Sequence, residues 1–111
     1  MLKLSSFGGG SLATVFADRV WGMAKGSGVG AAELLGRTMA HEIGHLLLGT
    51  NRHASHGLMR ACWSGADLRR TRTTEWLFDA REGEVMRWGI ASRLGLWRDP
   101  DRTIVLTAAA P

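Results

Sequence analysis

The sequence predicts one small domain of the α+β class, and three observations carry that expectation. Ala31 to Leu48 is an unbroken run of good helix formers between glycine breaks. Leu12 to Val20 mixes β-branched and aromatic residues with partial alternation behind a glycine triplet, which reads in part as a strand. Two helix-start signals follow in the C-terminal half. With 111 residues and 45% hydrophobic composition, the chain can bury one modest core, so residues 1–111 are expected to form a single domain.

Residues 1–30 are read as strand and glycine loops. Leu2 to Ser6 alternates weakly, Gly8 to Gly10 break the chain, and Thr14 to Asp18 are expected to contribute to a small sheet, although Ala17 to Lys25 is equally able to open a helix. Gly26, Gly28 and Gly30 make a second break. Residues 31–49 read as a helix. Leu34, Leu35, Met39, Ile43, Leu46 and Leu47 recur at steps of three and four and predict a largely buried helix, with Gly49 in place as its C-terminal cap. Residues 50–63 read as an irregular loop. In residues 64–97, Ser64 with Asp67 signals a helix over Leu68 to Arg72, and Asp79 with Glu82 forms a capping box for a helix reaching about Leu94. The tail, 98–111, is bounded by Asp99-Pro100, with Thr103 to Thr107 as a stray strand. No internal repeat is present.

Composition narrows the function classes. The net charge of +4 gathers around Arg69, Arg70 and Arg72, but no aromatic residues interleave with them, so a solvated helical face is expected and no nucleic-acid partner. A single cysteine, Cys62, excludes an internal disulfide framework and is expected to be a small buried hydrophobe. The first 20 residues lack the apolar stretch of a signal peptide, and no run of about 20 apolar residues spans a membrane. No compartment or oligomeric state follows from the residues.

The chemistry concentrates in His41-Glu42-Ile43-Gly44-His45. Residues four apart on a helix differ by about 40° and rise about 6 Å, so His41 and His45 can grip one tetrahedral ion. Glu42 is offset by roughly 100°, near enough to reach a water at the ion without being a ligand. One zinc ion per chain is therefore expected. A catalytic zinc takes a third protein ligand and keeps one position open. His53 is preferred, since Gly49 ends the helix and four residues span up to about 13 Å, enough to fold back. Two alternatives remain: His56, and Glu75, which with Asp79 forms an ExxxD arrangement.

The stretch HEIGHLLLGTNRHASHGLM, His41 to Met59, resembles the signature of the metzincin zinc peptidases, HExxHxxGxxH followed by a methionine turn. His41, Glu42 and His45 match directly, whereas Gly49 and His53 lie one and two residues later than in that signature. The resemblance makes Met59 the turn methionine. Together with Gly57-Leu58-Met59-Arg60 and Trp63, the segment is more closely similar to a group of uncharacterised predicted bacterial metallopeptidases, a likeness running from about Ala13 to Leu94. Members of that group are longer at the N-terminus, where further strands complete a sheet, so the resemblance implies a shortened member here. It also implies a zincin-like fold, with the His41–His45 helix packed beneath a small, incomplete sheet.

The activity so implied is zinc-dependent hydrolysis of a peptide or protein substrate, with His41, His45 and His53 as ligands and Glu42 as general base. The chain contains no tyrosine, so a tyrosine donor to the transition state is excluded, and backbone groups or a mobile arginine must serve. A catalytically silent, zinc-stabilised binding module or an inactive fragment is the competing expectation, and a purely structural chain that binds no metal is the third.

Overall fold

A computed structural model describes residues 5–7, 12–70 and 73–94. Their order is β1 (Ser5–Phe7), β2 (Ala13–Val15), α1 (Ala17–Ser27), α2 (Ala31–Leu48), α3 (Gly65–Arg69), a 3-10 turn (Thr73–Trp76) and α4 (Ala80–Arg93). Helices dominate. The strands form a two-stranded antiparallel ribbon in which Ser5 pairs with Val15, Ser6 with Thr14 and Phe7 with Ala13. The α+β expectation therefore holds at the coarse level, and no wider sheet exists among the described residues. Thr103 to Thr107 and Gly8 to Gly10 lie outside them, as does Arg72.

The strand expected over Thr14 to Asp18 is instead Ala13–Val15, and Asp18 belongs to α1. Phe16 holds an extended backbone, after which Asp18 sits in the first turn of α1, where its negative charge complements the free N–H groups. Gly28 closes that helix with φ 74°, a left-handed conformation suited to glycine.

Helix α2 has 18 residues and ends at Gly49, whose φ of 67° places it in the same left-handed cap. It packs against α1, α4 and both strands, and so forms the centre of the molecule. Its burial differs from the largely buried helix expected. Leu34 is fully buried, but Met39 and Ile43 are each 48% exposed, while Thr38, His41, Glu42, Gly44 and His45 are buried. Local chemistry accounts for the inversion. The Thr38 hydroxyl donates to the Leu34 carbonyl at 2.8 Å, and Gly44 has no side chain to keep its neighbours away. A Cβ on Gly44 would lie 2.6 Å from Met59 Sδ and 2.7 Å from Phe78 Cε1.

Val20 and Ala24 of α1, Leu34 of α2 and Leu68 of α3 make the main apolar cluster, against which Trp63 and Trp76 pack. Full burial of a side chain such as Leu34 contributes about 1.5–3 kcal/mol. Both later helices begin with complete capping boxes, Ser64 with Asp67 and Asp79 with Glu82. The first opens α3 at Gly65, three residues before the expected Leu68, because the cap fixes the start of the helix. Cys62 is exposed, contrary to the expected buried position. Its loop turns Leu58 and Met59 inward, and these fill the space beneath α2.

Candidate metal centre

Two of the candidate ligands are placed by α2 and the third by the loop that follows it. The backbone N–H groups of Gly49 and Thr50 both donate to the His45 carbonyl, at 2.9 and 3.3 Å, so the chain reverses as the helix ends. Ala54 N–H then donates to the Met59 carbonyl at 2.9 Å, and Ala54 forms an isolated parallel bridge with Arg60. Those bonds carry His53 back over the helix. Gly57, at φ 74°, lets the loop approach the chain before α4: a Cβ there would lie 2.8 Å from the Leu77 carbonyl oxygen, to which Leu58 N–H donates at 3.1 Å.

The same loop orients the imidazoles. His41 Nδ1 lies 2.7 Å from the Leu58 carbonyl oxygen, and His45 Nδ1 lies 2.8 Å from that of Thr50. A carbonyl oxygen only accepts, so each Nδ1 carries the proton and each Nε2 is left with a lone pair. The Nε2 atoms of His41 and His53 both stand 3.1 Å from Nε2 of His45. All three ligand atoms lie within 4.8 Å of one another.

That arrangement fits a cation. With Zn–N bonds of about 2.0–2.1 Å, tetrahedral ligands stand about 3.3 Å apart, close to the two separations observed. Burial is the largest influence lowering the His41 pKa from its ordinary 6.5, only partly opposed by the Leu58 hydrogen bond. Desolvation, then the neighbouring His45, lowers that of His53 as well. At neutral pH His41 and His53 are therefore uncharged imidazoles, and the Nε2 atoms of His41 and His45 stand at a separation that a shared positive ion accommodates. Nδ1–H groups fixed on backbone carbonyls are the usual outer support of histidine ligands. His41, His45 and His53 can thus hold a divalent metal ion.

Glu42 is buried, at 5% exposure, and its negative charge acts on both His41 and His53, opposing the fall in their pKa values. It does not belong to the cluster of His41, His45 and His53. His56 lies elsewhere, with its side chain 73% exposed and Nε2 3.8 Å from Asp79 Oδ2. Glu75 faces Arg70 at 3.4 Å, and Asp79 caps α4. Of the three candidate third ligands, the fold brings His53 to the pair. Arg69 and Arg70 are exposed, and Arg70 also pairs with Asp67 at 2.9 Å.

Met59 is 1% exposed and lies against Gly44 of α2, directly between the two helix histidines in sequence. Sequence reasoning missed the carbonyls of Thr50 and Leu58, since any residue supplies a carbonyl, and it assigned no role to Trp63, whose ring meets His41. The chain matches no protein-family model, no curated protein and no solved structure. Among the described residues, no helix is long and apolar enough to cross a membrane.

Proposed function

We propose that this chain is a zinc-dependent peptidase of zincin-like fold, with His41, His45 and His53 holding the ion and Glu42 as general base. The observation that carries the reading is the convergence of three Nε2 atoms, two of them with Nδ1 anchored on carbonyls. The likeness of His41 to Met59 to the metzincin signature supports the choice of metal and reaction. When bound, zinc supplies the Lewis acid that peptide hydrolysis requires.

The chain's own residues divide the remaining work. Leu58 and Thr50 hold two imidazoles in the tautomer that offers Nε2. Glu42 accepts the proton of the attacking water on its carboxylate and delivers it to the departing amine nitrogen. Met59, buried against Gly44, holds the loop to the helix.

The experiment compares zinc-loaded wild type with Glu42→Gln on a quenched-peptide library. Zinc content should persist in the variant while hydrolysis falls by a factor on the order of 100 or more. Undiminished cleavage by the variant removes Glu42 from the mechanism. One observation favours a second reading, a silent zinc-stabilised module: the ribbon has strands of only three residues, a short edge for an extended peptide to pair with. Absence of cleavage by both zinc-loaded proteins selects it.

A further inference from the structure

His41 is held by more than the Leu58 carbonyl. The indole of Trp63 meets its ring at 89°, with centroids 5.4 Å apart. Trp63 in turn meets Trp76 at 84° and 5.1 Å, and the Arg37 guanidinium lies 3.9 Å from the centroid of the Trp76 ring. Arg37 and His41 are four residues apart on α2 and share a face. The series thus leaves the helix at His41 and returns to it one turn earlier.

Its far end is anchored. Arg37 donates through Nη1 to the Leu68 carbonyl at 3.0 Å and through Nη2 to Glu33 at 2.5 Å. Trp76 Nε1–H donates to the Arg70 carbonyl at 3.2 Å. The Trp63 Nε1 is buried and has no protein hydrogen-bond partner among the described residues, so packing orients this ring.

One hydrogen bond at Nδ1 sets where that nitrogen points but constrains weakly the tilt of the ring plane about the N···O line. Nε2 moves with that tilt. A perpendicular aromatic neighbour resists it, because tilting loses the edge-to-face contact. We propose that Trp63 is a positioning residue of the metal centre: it sets the tilt of the His41 imidazole and so aims its Nε2 lone pair, with Trp76 and Arg37 as the brace. This rests on the reading that the three histidines hold a divalent metal ion.

Cobalt(II) provides the test, because its visible absorption reports ligand geometry independently of activity. The whole chain is titrated with cobalt as wild type, Trp63→Leu, Trp63→Phe, Trp76→Leu and Met86→Ala, with thermal melting of each. Trp63→Leu should lower cobalt affinity about tenfold and shift the absorption bands, as loss of an outer support does. Trp63→Phe keeps an aromatic ring and should stay within about threefold of wild type, with its spectrum. Trp76→Leu should shift the bands in the same direction by less, and it serves as the test if Trp63→Leu does not fold. Met86→Ala, a cavity in α4 outside the cluster that holds Trp63, should melt lower with an unchanged spectrum. A wild-type spectrum and affinity in Trp63→Leu, or an unchanged spectrum in Trp76→Leu where the former is unfolded, overturns the assignment, as does an equal band shift in Met86→Ala. Wild type that binds no cobalt overturns the metal reading itself, and this inference with it.

Discussion

On the side of α2 facing the 50–63 loop, Thr38, His41, Glu42, Gly44 and His45 are buried, whereas Met39 and Ile43, each about 160° around the helix from His41, remain 48% exposed. An ordinary surface helix does the reverse. Full burial of Met39 and Ile43 would contribute about 1.5–3 kcal/mol each, and roughly half of that area stays in water. Burying a carboxylate and two imidazoles works against folding unless they are paired or neutral. The contrast teaches that the inward face of α2 gathers groups that can hold a metal ion at the expense of apolar burial, a local conflict of the kind that the proposed function would explain.

Replacing His53 with Ala would break that comparison most severely. If the inward face is a metal site, zinc affinity measured by chelator competition should fall by more than about 100-fold, beyond the loss expected for an outer support. His56→Ala should leave it near wild type, since His56 stands apart at Asp79. An equal loss in both would place the third ligand elsewhere.

Gly44→Ala tests the packing beneath the site. The new methyl meets both Met59 Sδ and the Phe78 ring, and the buried Met59 and half-buried Phe78 must both shift. Chemical denaturation should show a loss of about 1–3 kcal/mol, the usual range for overpacking. An unchanged midpoint would mean that Met59 moves freely.

Acid sharpens the comparison because two imidazoles of the cluster, His41 and His53, resist protonation in the folded chain. His41 and His53 both have pKa values below the ordinary 6.5, mainly through burial, so the unfolded chain takes up protons that the folded one resists. The stability that these two groups contribute to the metal-free chain is therefore fully present above pH 6.5 and is lost as pH falls below it. Urea midpoints at pH 7.5 and pH 5 should show the decline, and it should shrink in His53→Ala. Midpoints that rise on acidification would contradict the assigned neutral imidazoles.

The smallest effect belongs to the outward face. Met39→Ser and Ile43→Thr should each change stability by no more than about 1 kcal/mol and leave zinc affinity untouched. A loss of several kcal/mol would show that these side chains are covered in solution.

Much of the helical framework follows from local chemistry and is therefore readable along the chain. The glycine break before Ala31, the left-handed cap at Gly49 and the paired side chains Asp79 with Glu82 act over a few residues, so the ends of α2 and the start of α4 match their expectations. Placement of His41 and His45 on one face of a helix needs no more than helical periodicity. The boundary at Phe16 was not readable in this way, because Ala17 to Lys25 suits either state until the ribbon and α1 both pack on their neighbours.

Which face of α2 turns inward, by contrast, is a tertiary decision. The leucines, Met39 and Ile43 make the helix apolar on nearly every side, so periodicity alone leaves its rotation open; the 50–63 loop settles it by laying the Leu58 carbonyl against His41 and Met59 against Gly44. The choice of His53 over His56 or Glu75 arises in the same way, from the chain reversal at Gly49 and the Ala54 bridge to Arg60. The sequence specifies the two helix histidines and the carboxylate between them, since their spacing is local; only tertiary structure brings the third imidazole, the two carbonyls and Trp63 to them, since those contacts join positions whose separation along the chain carries no periodic signal.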